Sequence, residues 1–159
     1  MRAELKSRVQ PKSRSGNAAC AFIDFAASHF NNSPMTRPEA VRRVKSYSAS
    51  NGYVYQYCFY EVNRITYSGG PASEFVYAVS ADRKKTFPLC IVVVQAALES
   101  WAQANGRALT SSEEYAVAKM RLFQAFDEGE VPVTAPGEEE LRLLVDESRL
   151  EDLLRMLNI

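Results

Sequence analysis

Histidine and cysteine are scarce in this chain, which holds one His and three Cys among its 159 residues. The single histidine, His29, excludes a histidine cluster, and Cys20, Cys58 and Cys90 lie far apart without the paired spacing of zinc sites. Neither a nucleophile signature nor a phosphate-binding glycine loop is present. The sequence therefore predicts no metal site and no cofactor, and it favours a protein without catalytic activity over an enzyme.

Long apolar runs are also missing, because no stretch approaches the roughly 18 to 20 residues that cross a bilayer. The residues after Met1–Lys6 are polar, and Asp24 interrupts the first apolar stretch, so no secretory signal is expected. Three dispersed cysteines are typical of reduced thiols. We expect a soluble, cytoplasmic protein that does not bind membranes.

The net charge is zero, but the basic and the acidic residues are separated along the chain. Residues 1–126 contain sixteen Lys and Arg against nine Asp and Glu, whereas residues 127–159 contain three against ten. We call residues 1–126 the basic body, and an excess of positive charge there favours acidic partners. The acidic C-terminal part favours basic partners or contact with the basic body. The chain is therefore charge-polarised.

Aromatic and β-branched residues are plentiful in the middle of the chain. Tyr53–Ile65 predicts a strand, Ser68–Ala72 a turn and Glu74–Ala81 the second strand of a hairpin. Thr86–Val94 is apolar on all sides and allows either a third strand, which we favour, or the start of a helix. The faces of the first strand should alternate, with Glu61 on the tyrosine side.

Helical patterns flank this segment and define an α+β fold: a small antiparallel sheet of two or three strands within residues 53–94, covered by N-terminal and C-terminal helices. The predicted organisation is a flexible basic arm at 1–16, one α+β domain at 17–130, a Pro-rich linker at 131–137 and an acidic helical tail at 138–159. Helices are predicted for Asn17–Phe30, from the Thr36 capping box through Tyr47, for Gln95–Ala104 and after Ser111.

The acidic tail is predicted to be helical from Glu138 to Val145 and again after Ser148. Its second half carries a leucine stripe at helical spacing, and such a stripe must be buried. It packs on its own body, exchanges between two copies or binds another protein. The residues of this candidate partner-binding stripe are Leu150, Leu153, Leu154 and Leu157.

A second hypothesis is binding of single-stranded nucleic acid. Basic residues surround the predicted sheet, and its tyrosines offer stacking surfaces for unpaired bases. The candidate nucleic-acid-binding residues are Arg42, Arg43, Lys45, Tyr55, Tyr57, Arg64, Arg83, Lys84 and Lys85.

The first hypothesis is a protein-interaction or regulatory module that uses the tail and the basic body. Its partner would be a protein, either a second copy of the chain or another molecule. It ranks first because the tail combines a leucine stripe, a charge opposite to that of the body and a preceding linker.

Overall fold

The computed structural model describes residues 43–134, 136–137 and 140–159. The basic arm, the helix predicted at Asn17–Phe30 and the Thr36 capping box lie outside these residues. The described elements are β1 (Lys45–Ser48), β2 (Val54–Tyr67), β3 (Gly70–Ser80), β4 (Phe87–Val94), α1 (Gln95–Asn105), α2 (Ser111–Asp127), β5 (Leu141–Val145) and α3 (Glu147–Leu157).

The five strands form one sheet in the order β1-β2-β3-β4-β5. β1 to β4 are antiparallel to their neighbours, whereas β5 lies parallel to β4. A parallel neighbour needs a crossover connection, and α1 and α2 supply it. The prediction of a two- or three-stranded antiparallel sheet is therefore wrong: among the described residues the sheet is mixed and has five strands, and the three helices all follow β4. The first N-terminal helix predicted to cover the sheet lies outside these residues.

The strand predictions for Tyr53–Ile65 and Glu74–Ala81 are confirmed, as is the strand alternative for Thr86–Val94. The β2–β3 turn contains Ser68 at φ 49° and Gly69 at φ 82°. Glycine adopts this left-handed conformation without the steric penalty of a side chain. The predicted hairpin therefore forms at the predicted place.

The described parts of two predicted helices contain strands instead. Residues 45–47, at the end of the helix predicted after Thr36, pair with β2, and Leu141–Val145, at the end of the helix predicted from Glu138, pairs with β4. Both segments are short, and their local propensity is weak compared with the backbone hydrogen bonds that a neighbouring strand offers. Tertiary pairing therefore decides their conformation.

The helix termini follow local sequence signals, with shifts of one or two residues. α1 ends as predicted, because Gly106 adopts φ 70° and its N–H donates to the carbonyl of Ala102. The capping box of α2 pairs Thr110 with Glu113, one residue earlier than predicted. α3 is capped by Asp146, whose carboxylate accepts from the N–H of Arg149, and not by Ser148.

The main core lies between the helices and one side of the sheet, which we call the first face. Tyr55, Tyr77 and Leu89 mark this face, and the buried apolar residues of all three helices pack in the same cluster. Aromatic rings fill the side next to α2, where Tyr55 stacks on Phe126 with ring centroids 4.3 Å apart. None of the described helices is long and apolar enough to cross a membrane.

The opposite side, which we call the second face, carries smaller side chains. Cys58, Ala78, Cys90 and Val92 point to it and are buried. A β-bulge between Phe59 and Glu61 reverses the alternation of β2, so Glu61 pairs with Val76 on the second face and not on the tyrosine side as predicted. The bulge therefore adds the polar side chain of Glu61 to the second face.

Candidate functional site

The leucine stripe of the tail lies in the core of its own chain. Leu150, Leu153 and Leu154 are buried in the first-face cluster, and Leu157 is partly buried against it. In this structure these three residues are therefore covered by their own chain.

The candidate nucleic-acid-binding residues do not share one surface. Tyr55 and Tyr57 are buried, whereas Arg43 and Lys45 are exposed beside β1. Arg64 pairs with Ser73 near one end of β3, and Arg83, Lys84 and Lys85 form the turn after its other end. Ser73 and Ser80 are seven residues apart on β3, or roughly 24 Å at the rise of a strand. Arg42 lies outside the described residues.

A polar cluster occupies the second face where β3, β4 and the start of β5 meet. Ligand atoms of Glu74, Cys90 and Glu140 lie within 4.8 Å of one another. The Cys90 thiol donates to Glu140 Oε1, with Sγ 3.3 Å from the oxygen. We call Glu74, Cys90, Glu140 and the neighbouring Arg142 the thiol–carboxylate cluster.

Arg142 provides the positive charge of this cluster. Its Nη2 lies 2.8 Å from Glu140 Oε2, and its Nε lies 3.4 Å from Glu74 Oε1. The second contact is an ion pair without hydrogen-bond geometry, since the buried Oε1 of Glu74 has no hydrogen-bond partner. The Glu74 side chain is 9% exposed, whereas that of Arg142 is 50% exposed. The cluster therefore opens to solvent on the β5 side.

Cys90 is protonated in this environment. Burial raises the pKa of its thiol, the charges of Glu74 and Glu140 raise it further, and Arg142 opposes the shift only in part. A neutral thiol is a poor nucleophile. In this protonated state the thiol is therefore suited to hydrogen bonding and not to nucleophilic chemistry.

The cluster was not identified from the sequence because its residues are separated by 16 and 50 positions and have no motif spacing. One signal was present. Glu74 interrupts an otherwise apolar or small-residue strand, and a charge at such a position needs a partner if it is buried. The identity of that partner depends on which strand becomes the neighbour of β4.

Arg121, on α2, is a second buried charge. It is 4% exposed, and its Nη2 lies 2.6 Å from Glu130 Oε2, while Nε and Nη1 are buried without hydrogen-bond partners. The ion pair joins α2 to the segment that follows the helix. It lies apart from the thiol–carboxylate cluster, because that cluster is on the second face.

Neither a protein-family model nor a curated protein nor a solved structure significantly matches this chain.

Proposed function

We propose that this chain is a protein-interaction module whose interaction element is the outer edge of β5. β5 is the last strand of the sheet and pairs with β4 on one side, and no other described strand lies on its outer side. Four of its five residues are apolar, in Leu141-Arg-Leu-Leu-Val145. An apolar edge strand is a template for pairing with another chain.

The opposite edge of the sheet is protected in the way that native sheets protect their edges. β1 has four residues, and Lys45, Ser46 and Ser48 are exposed and polar. Tyr47 donates its hydroxyl to Asp127 and is partly buried. The asymmetry between the two edges supports β5 as the docking strand, because short polar edges with lysine oppose strand addition.

The partner that this edge suits is a second copy of the chain. Two β5 strands related by a two-fold axis pair antiparallel, and each brings the same apolar surface to the contact. Leu144 is 37% exposed on the second face and would be covered by such pairing. Cys58 and Cys90 are buried thiols, which supports the further proposal that the module works in the reducing cytoplasm.

The single observation that carries this proposal is the apolar edge of β5, and sedimentation velocity of the full chain over a wide concentration range tests it. We expect a monomer–dimer equilibrium. Leu144→Lys should weaken the dimer at least tenfold, because it places a charge beside the paired strands. Val62→Lys is the matched control, since Val62 is also an exposed strand residue but lies on β2, away from β5.

If the full chain stays monomeric at the highest concentration, the proposal that a second copy pairs with β5 is wrong. It is also wrong if Val62→Lys weakens the dimer as much as Leu144→Lys does. Far-UV circular dichroism of both variants separates a weakened contact from a lost fold.

A further inference from the structure

Three members of the thiol–carboxylate cluster, Glu74, Cys90 and Glu140, have the donor types of a zinc site, and their ligand atoms lie within 4.8 Å of one another. One thiol and two carboxylates form a mixed sulfur and oxygen set, which suits Zn²⁺ better than Mg²⁺ or Ca²⁺, since those ions prefer oxygen alone. In a tetrahedral zinc site, sulfur and oxygen ligands are about 3.5 Å apart. The separation of 3.3 Å between Cys90 Sγ and Glu140 Oε1 is close to that distance.

Glu74 gives a second and independent reason to expect a ligand. Its side chain is 9% exposed, and its buried Oε1 accepts no hydrogen bond. Its contact with Arg142 Nε, at 3.4 Å and without hydrogen-bond geometry, replaces the lost hydration only in part. A cation bound between Glu74, Cys90 and Glu140 would supply the missing interaction.

Arg142 determines whether the carboxylates are available. Its guanidinium lies close to both Glu74 and Glu140, at 3.4 Å and 2.8 Å. Half of its side chain is exposed, so it can move into solvent without crossing the protein. Arg142 and a metal cation therefore compete for the same two carboxylates.

We propose that Glu74, Cys90 and Glu140 bind one Zn²⁺ ion and that Arg142 is displaced when it binds. Cys90 coordinates as the thiolate, so its proton passes to solvent as the sulfur–metal bond forms. With three protein ligands, a water molecule takes the fourth position. The proposal does not depend on the β5 dimer, because all three ligands belong to one chain.

Cobalt titration of the chelator-treated full chain tests this site, since Co²⁺ bound to a thiolate shows a sulfur-to-metal charge-transfer absorption band. The band should appear at one equivalent and be removed by Zn²⁺. Cys20→Ala/Cys58→Ala, which keeps Cys90 as the only cysteine, should retain the band, and Cys90→Ala should abolish it. Glu74→Gln keeps the shape of the side chain and should weaken binding at least tenfold.

Arg142→Gln separates a metal site from a purely structural ion pair. If Arg142 competes with the metal, this variant should bind Co²⁺ at least tenfold more tightly than the native chain. The proposal is overturned if the Cys20→Ala/Cys58→Ala variant shows no thiolate band, if Cys90→Ala keeps it, or if Arg142→Gln fails to tighten binding. Circular dichroism confirms that each variant is folded.

Discussion

Tyr55 and Tyr77 lie on adjacent strands of the first face, but their hydroxyl groups differ in hydrogen bonding. Both side chains are buried, and the Tyr55 hydroxyl donates to the carbonyl of Val131 at 3.1 Å. The Tyr77 hydroxyl is buried without a hydrogen-bond partner. Burial raises the pKa of Tyr77, so the phenol is neutral. A buried donor without a partner lowers stability compared with an apolar group of the same shape.

Removing these two hydroxyls should therefore have different effects on the free energy of unfolding. Tyr55→Phe should lower the free energy of unfolding by about 1 kcal/mol, because Val131 loses its donor. Tyr77→Phe should leave it unchanged or raise it by up to about 1 kcal/mol. Chemical denaturation measures both values. Equal losses in the two variants would contradict this prediction and would show that the Tyr77 hydroxyl has a partner.

Asp127 connects the end of α2 to the β1–β2 turn. Its carboxylate accepts from the Ser50 N–H at 2.8 Å and from the Tyr47 hydroxyl at 2.7 Å. These two bonds lower the pKa of Asp127 below its usual 3.8. The bond to Asp127, together with burial, raises the pKa of Tyr47 to about 12. The ionised carboxylate and the neutral phenol are therefore the stable pair.

Asp127→Asn should lower the free energy of unfolding by about 2 kcal/mol at neutral pH, because two charge-assisted hydrogen bonds are weakened. Since the folded pKa of Asp127 is lowered, its contribution is complete above pH 3.8 and declines as the pH falls through the folded value. The difference between native chain and variant should therefore shrink only at acidic pH. Denaturation at a series of pH values checks this, and a difference that persists into strong acid would contradict it.

At the scale of elements, α3 shows what a periodic pattern determines. Leu150, Leu153 and Leu154 recur at helical spacing, and the sequence predicted both the helix and the need to bury this stripe. It left open whether the stripe packs on its own body, and the structure shows that it does. The spacing of apolar residues defines a face, but it does not define what the face contacts.

Two positions on α3 test this packing. Leu153→Ala should lower the free energy of unfolding by about 2 to 5 kcal/mol, because it leaves a cavity in the first-face core. Met156→Ala should change it by no more than about 0.5 kcal/mol, since Met156 is 54% exposed. Thermal or urea denaturation gives both values. Similar effects for the two variants would mean that α3 is not docked in solution as the structure shows.

β1 and β5 show where local patterns fail at the same scale. Lys45–Ser48 and Leu141–Val145 have four and five residues, and each was assigned to a helix from the residues around it. Their extended conformation comes from pairing with β2 and β4. Short edge strands gain their stability from a neighbour, so a window of local sequence contains little of the information that fixes them.

Across the whole molecule, the connection from β4 through α1 and α2 to β5 brings the acidic tail into the sheet. β5 then places Arg142 and Glu140 beside Glu74 and Cys90, which creates the thiol–carboxylate cluster. The same connection makes β5 an edge strand. Both proposals for this chain, the docking edge and the zinc site, thus depend on one parallel pairing.

The separation of charge along the sequence does not become one basic surface. Arg64 lies near one end of β3, and Arg83–Lys85 form the turn after its other end. The tyrosines that would stack on bases are buried in the first-face core. A site for single-stranded nucleic acid combines basic residues with exposed aromatic residues along one groove, and Tyr55 and Tyr57 are not exposed.

Residues adjacent in the chain account for β2, β3, the α1 terminus at Gly106 and the leucine stripe of α3. They favour a strand over a helix at β4 without deciding between the two. Contacts between distant segments decide that β1 and β5 are strands, that the sheet is mixed and that Glu61 faces away from the tyrosines. These contacts also bring Glu74, Cys90 and Glu140 together. Strand pairing joins residues that are distant in sequence, and local periodicity contains no record of which strands become neighbours.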